Sequence, residues 1–142
     1  MTPGAFRKVA LSMPEAVERA HMGHPDFRVG GRVFATLFTR ESDRGMVKVP
    51  PAVQRELLKK RGGVFTRASG AWGRQGCTLI DLGAAAPATV REAIIEAWRY
   101  AAPKQVVDAY GEPSPRANSR GGPGGRATRR TRRRTGVGER RE

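Results

Sequence analysis

Two alternating runs meet at Gly30-Gly31. Phe27 and Val29 precede the pair with polar neighbours between them, and Val33, Ala35 and Leu37 follow it. Adjacent glycines allow positive φ at both central positions, which a tight two-residue β-hairpin requires. The centre of the chain is therefore antiparallel sheet. The flanking segments add to it. Residues 16–22 and Met46–Val49 read as strands, RESDRG over 40–45 as a polar turn, and Cys77–Leu82 as a buried strand.

Helices bracket these strands. Thr2-Pro3 supplies an N-cap and a proline at the first helical position, and Phe6, Val9, Ala10 and Met13 then share a face until Pro14 stops the helix. Pro50-Pro51 starts a second helix carrying Val53, Leu57 and Leu58, closed by Gly62-Gly63. Thr89 and Glu92 have capping-box spacing. Val90, Ala93, Ile94, Ala97, Trp98 and Ala101 follow at helical spacing up to Pro103, and 104–110 add one more turn. Residues 64–76 read as irregular. Hairpin-linked strands with helices set apart predict an α+β fold, a two-layer domain with antiparallel sheet packed against helices.

Charge divides the 142 residues in two. Residues 1–110 carry 17 basic and 10 acidic side chains, whereas 111–142 carry 10 Arg and 3 Glu. Each part is net +7, making +14 in all. The last 32 residues contain 7 Gly, 3 Pro and no aromatic residue. Such a segment buries too little apolar surface to offset its ordering entropy. The expectation is a domain over 1–110 and a disordered, Gly/Arg-rich basic tail over 111–142. No apolar run is long enough for a membrane helix, and the N-terminus has no secretory apolar core. With Cys77 the lone cysteine, an intramolecular disulfide is excluded and a reducing, cytoplasmic setting is expected.

His21-Met22-Gly23-His24-Pro25-Asp26-Phe27-Arg28-Val29, followed by Gly30-Gly31-Arg32-Val33-Phe34-Ala35-Thr36-Leu37, resembles the MmcQ/YjbR family of small bacterial proteins. So do Leu11-Ser12-Met13-Pro14-Glu15, Met46-Val47-Lys48-Val49, Ala71-Trp72-Gly73-Arg74-Gln75-Gly76 and the closing Ala101-Ala102-Pro103-Lys104. The match spans about residues 5–107, and the tail lies outside it. The resemblance implies a compact domain often compared with the frataxin-like fold. Members are commonly labelled DNA-binding, with no agreed catalytic residues.

His21, His24 and Asp26 are the nearest approach to a metal or ligand set. Residues three apart in an extended segment point to opposite faces, and a fourth protein ligand is lacking. A structural turn is expected here, with no metal and no cofactor. Cys77, beside Leu79 and Ile80, reads as a small buried residue. The glycine-rich loops do not match a phosphate cradle. Glu15/Glu18 and Glu41/Asp43 read as exposed carboxylates, not an acid/base pair.

Arg28 and Arg32 flank the Gly-Gly turn. With Lys48, Trp72 and Arg74 they could form a basic rim with one aromatic for base stacking; Trp72 reads equally well as core. In the tail, Arg126, Arg129, Arg130, Arg132, Arg133 and Arg134 put six guanidinium groups into nine residues. Such a run condenses on a polyanion with release of counterions. The expected function is non-enzymatic, mostly non-specific binding of nucleic acid, DNA more than RNA, through its phosphate backbone. The alternative is a small-molecule-binding or accessory domain using a cleft around His21, His24 and Trp72.

Overall fold

The structure, a computed structural model, describes residues 1–39 and 43–110; the basic tail and its Arg run lie outside the described residues. Six strands form one antiparallel sheet: β1 (Val17–His21), β2 (His24–Val29), β3 (Arg32–Phe38), β4 (Arg44–Lys48), β5 (Phe65–Arg67) and β6 (Cys77–Asp81). Their spatial order is β1-β2-β3-β4-β6-β5. The helices are α1 (Pro3–Leu11), α2 (Pro51–Leu58), α3 (Gly70–Arg74), α4 (Pro87–Ala101) and α5 (Lys104–Tyr110). This is the expected α+β, two-layer arrangement. None of the described helices is long and apolar enough to cross a membrane.

The period-two pattern sorts side chains between two faces of the sheet. Phe27, Ala35, Val47 and Thr78 form one cross-strand row, all buried. They face α1, which contributes Phe6, Val9 and Ala10, and α4, which contributes Val90, Ala93, Ile94, Ala97 and Trp98. A bulge sharpens this face. Phe27 pairs with Ala35 but Arg28 pairs with Val33, so Phe34 is an extra residue in β3. Both Phe34 and Ala35 enter the core. Trp98 is fully buried, and its Nε1 donates to the Pro14 carbonyl at 2.9 Å, joining α4 to the segment after α1.

Local signals placed most elements. Thr2 caps α1 by accepting from the Ala5 amide at 3.0 Å, and Pro51 opens α2. Gly30 and Gly31 have φ of 59° and 79°, as the hairpin requires. Three expectations are corrected. The Thr89/Glu92 capping box does not form, because α4 begins earlier, at Pro87, with Ala86 as its cap; Thr89 sits inside the helix. Residues 64–76 are not irregular: β5 adds to the sheet edge through β6, and α3 packs beside it. Gly62-Gly63 forms a short 3-10 turn after α2.

A second two-residue turn, Met22-Gly23, has φ of 50° and 78°. Methionine is sterically unsuited to that conformation, whereas asparagine tolerates it. Met22 is exposed, so its side chain has no buried packing for asparagine to lose. Met22→Asn should raise stability by about 0.5–1 kcal/mol, read as a higher urea midpoint; an unchanged or lower midpoint would contradict this.

Candidate functional site

The face of the sheet away from α1 and α4 carries a second cross-strand row: Arg19, Asp26, Thr36, Met46, Leu79 and Thr66. Asp26 is fully buried in it. Its Oδ1 accepts from Arg28 Nε at 2.8 Å, and its Oδ2 accepts from Arg28 Nη2 at 3.0 Å. His21 Nδ1 also lies 2.6 Å from Oδ2 and donates when Asp26 is ionised. His24 stacks edge-on against Phe38, with centroids 4.8 Å apart. This arrangement overturns the expectation that His21 and His24 face apart. The Met22-Gly23 turn folds between them, making them cross-strand partners on the same face.

The fork from Arg28 is the main influence holding the Asp26 carboxyl below the ordinary carboxylate range; burial opposes it, and the His21 contact supports it. A depressed folded-state pKa contributes stability above the unfolded value and loses it as pH falls through the folded one. Wild type should therefore exceed Asp26→Asn in stability near neutrality. The gap should narrow as pH drops below about 4. Paired urea titrations at pH 7 and pH 3 check this, and a gap that widens in acid would refute it.

A different group of cations occupies the other end of the sheet. The hairpin turn with Arg32, the end of β4 with Lys48, and the start of β6 with Cys77 all lie there, since Lys48 pairs with Cys77 and Val29 with Arg32. Arg74 ends α3, three residues before Cys77, and Arg67 ends β5. Among the described residues, Arg32, Lys48, Arg67 and Arg74 have no ion-pair partner. Trp72 is 63% exposed, which places it on the surface and overturns its reading as core. Cys77 is buried as expected, and that burial pushes its thiol pKa up although Lys48 pulls the other way.

The rim predicted from sequence is thus partly regrouped. Arg32, Lys48, Trp72 and Arg74 share one end of the sheet. Arg28, on the same hairpin, is neutralised by Asp26 and is no free cation. The cleft imagined around His21, His24 and Trp72 is not one site. His21 lies on β1 at the far end, and Trp72 lies beside β6, four strand spacings away, or roughly 19 Å along the sheet. The six tail arginines from Arg126 to Arg134 lie outside the described residues. Among those described, no group of three or more His, Cys, Asp or Glu side chains is arranged to hold a metal ion.

Two residues of this region escaped sequence reasoning. Arg67 was hidden in a stretch read as irregular. Gln54, on the polar side of a short helix by pattern, is 2% exposed, and its Nε2 donates to the carbonyls of Gly73 and Cys77, each at 3.0 Å. It ties α2 to both α3 and β6.

Comparison with known proteins agrees with this architecture. The YjbR family model matches residues 11–100. The chain belongs to the YjbR family. Two solved structures share the YjbR fold seen here. One is Deinococcus radiodurans protein DR2400, with a DUF419 domain: TM-score 0.63, 18% identity, covering 79% of this chain and 89% of that one. The other is a protein from Pseudomonas syringae: TM-score 0.58, 15% identity, covering 71% of this chain and 99% of that one. No curated protein matches the chain.

Proposed function

We propose that this YjbR-family chain is a non-enzymatic, cytoplasmic nucleic-acid-binding protein that engages the phosphate backbone, of DNA in preference to RNA, without marked sequence preference. The distribution of charge carries the reading. Ten of the 22 arginines fall in the last 32 residues, six of them between 126 and 134. On the domain, Arg32, Lys48, Arg67 and Arg74 gather at one end of the sheet with no carboxylate partner among the described residues. Guanidinium groups match phosphate geometry in a bidentate way. Phosphate contacts position a protein without reading sequence. DNA is favoured over RNA because the family resemblance carries a DNA-binding label.

The test is a plot of log K against log salt for a duplex, with intact protein and with Arg126, Arg129, Arg130, Arg132, Arg133 and Arg134 replaced by serine. Six lost phosphate contacts should flatten the slope by about 5. Random and selected duplexes should differ by less than about 4 kcal/mol. Equal slopes would move binding onto the four domain cations. Absence of binding at low salt would end the reading.

A further inference from the structure

From the surroundings of Trp72, we propose that the basic end of the domain is a stacking site for unpaired bases, so that its ligand is single-stranded nucleic acid. The inference rests on the phosphate-binding reading above and adds a substrate class to it.

Three observations carry it. The first is exposure: the indole is 63% accessible, while the molecule's other tryptophan is fully buried. The second is rigidity. Trp72 sits on a short helix that is anchored one residue away, where Gln54 holds the Gly73 carbonyl and, with the same nitrogen, the Cys77 carbonyl. Gly73 packs so tightly that a Cβ there would lie 1.8 Å from the Ala68 carbonyl oxygen. An aromatic ring on a fixed base loses little freedom when a ligand covers it. The third is charge. Arg74 ends the same short helix, two residues on and turned to another side of it, and the Arg67 stem lies against Gly73, the residue after Trp72, its Cγ 2.6 Å from the position of that same Cβ. Lys48 pairs across the sheet with Cys77, at the end of the loop leaving α3.

An exposed ring at an end of the sheet that also carries these cations suits a strand that offers both a π-face and a phosphate chain. In a duplex the base faces are already stacked on one another. The indole would then meet only groove edges and sugar. Unpaired bases can turn onto it, and any base will serve, which agrees with binding that reads no sequence.

The experiment uses the full chain and three DNA probes at low salt: a dT oligomer of twelve nucleotides, an abasic oligomer of the same length, and a twelve-pair duplex. Affinity is read by anisotropy of a label on the DNA, and stacking by tryptophan emission. The dT oligomer should quench the emission of Trp72, whereas the abasic oligomer and the duplex should bind without quenching. Trp72→Ala should weaken dT binding by roughly 5- to 150-fold, the range of one base–aromatic stack. It should weaken abasic and duplex binding far less than dT binding, while the remaining Trp98 emission reports that the variant is folded. If dT binds without quenching and Trp72→Ala binds it as well as wild type, the stacking site is refuted and the phosphate reading stands. If none of the three probes binds, both fall together.

Discussion

Trp98→Ala is expected to cost about 3–5 kcal/mol, the range for removing a large aromatic from a packed core. The indole is fully enclosed between α4 and the sheet. It also fills the hydrogen-bonding need of the Pro14 carbonyl, 84 positions away in the chain. Truncation would leave a cavity and an acceptor without its donor, and an unsatisfied buried acceptor adds about 1–3 kcal/mol if water cannot reach it. A domain of this size holds only about 5–15 kcal/mol in all, so the variant should be near the limit of folding. Trp98→Phe separates the two effects, keeping most of the volume and losing only the N–H. Urea denaturation of both variants supplies the measurement. A loss under about 1 kcal/mol for Trp98→Ala would show that the core closes over the gap.

Gly76→Ala is expected to be comparably severe, for a different reason. Gly76 has φ of 106°, and a Cβ there would lie 1.8 Å from the Val49 carbonyl oxygen. Its own carbonyl accepts from the Val49 amide at 3.2 Å and from the Thr78 hydroxyl at 3.0 Å. The added methyl cannot fit unless the ends of β4 and β6 part, which breaks these bonds. Backbone strain contributes about 1–3 kcal/mol, and overpacking contributes about 1–3 kcal/mol more. Gly31→Ala is the control, because Gly31 has φ of 79° but no atom within 4 Å of the position its Cβ would take. It should show the backbone contribution alone. Equal losses for the two variants, measured by thermal or urea melting, would mean that the contact with Val49 relaxes freely.

Both positions bear on the candidate site. Gly76 ends the segment that carries Trp72 and Arg74, so its replacement should also weaken the binding proposed for that end of the sheet. Gly31 lies beside Arg32 on the hairpin turn, where a methyl group leaves the charge in place.

Much of the fold was legible from short-range pattern. Gly30-Gly31 fixed a hairpin because two positive φ angles in succession are cheap only for glycine. Thr2-Pro3 marked a helix start because a hydroxyl and a ring of fixed φ meet the needs of the first turn. The apolar spacing from Val90 to Ala101 identified α4, although the nearby Thr-x-x-Glu misled about where it begins: Pro87 opens the helix before that pair can act as a cap. The Met22-Gly23 turn was missed because methionine gives no turn signal, and with it went the pairing of His21 and His24.

The candidate site was legible in charge and not in geometry. The surplus of arginine and its crowding toward the C-terminus follow from the residues alone, because charge needs no fold to be counted. Which cations remain available was decided by tertiary structure. Arg28 is occupied since folding buries Asp26 beside it, and a buried carboxylate must be paired. Gln54 is in the interior because two backbone carbonyls, 19 and 23 positions along the chain, need a donor there. Trp72 is outside, while its neighbour Gly73 makes the close contact with Ala68. Local sequence determined the elements, whose hydrogen bonds and dihedral limits reach only a few residues. Burial, pairing and exposure depend on what the chain brings back from far away, and only the assembled sheet and its helices decided them.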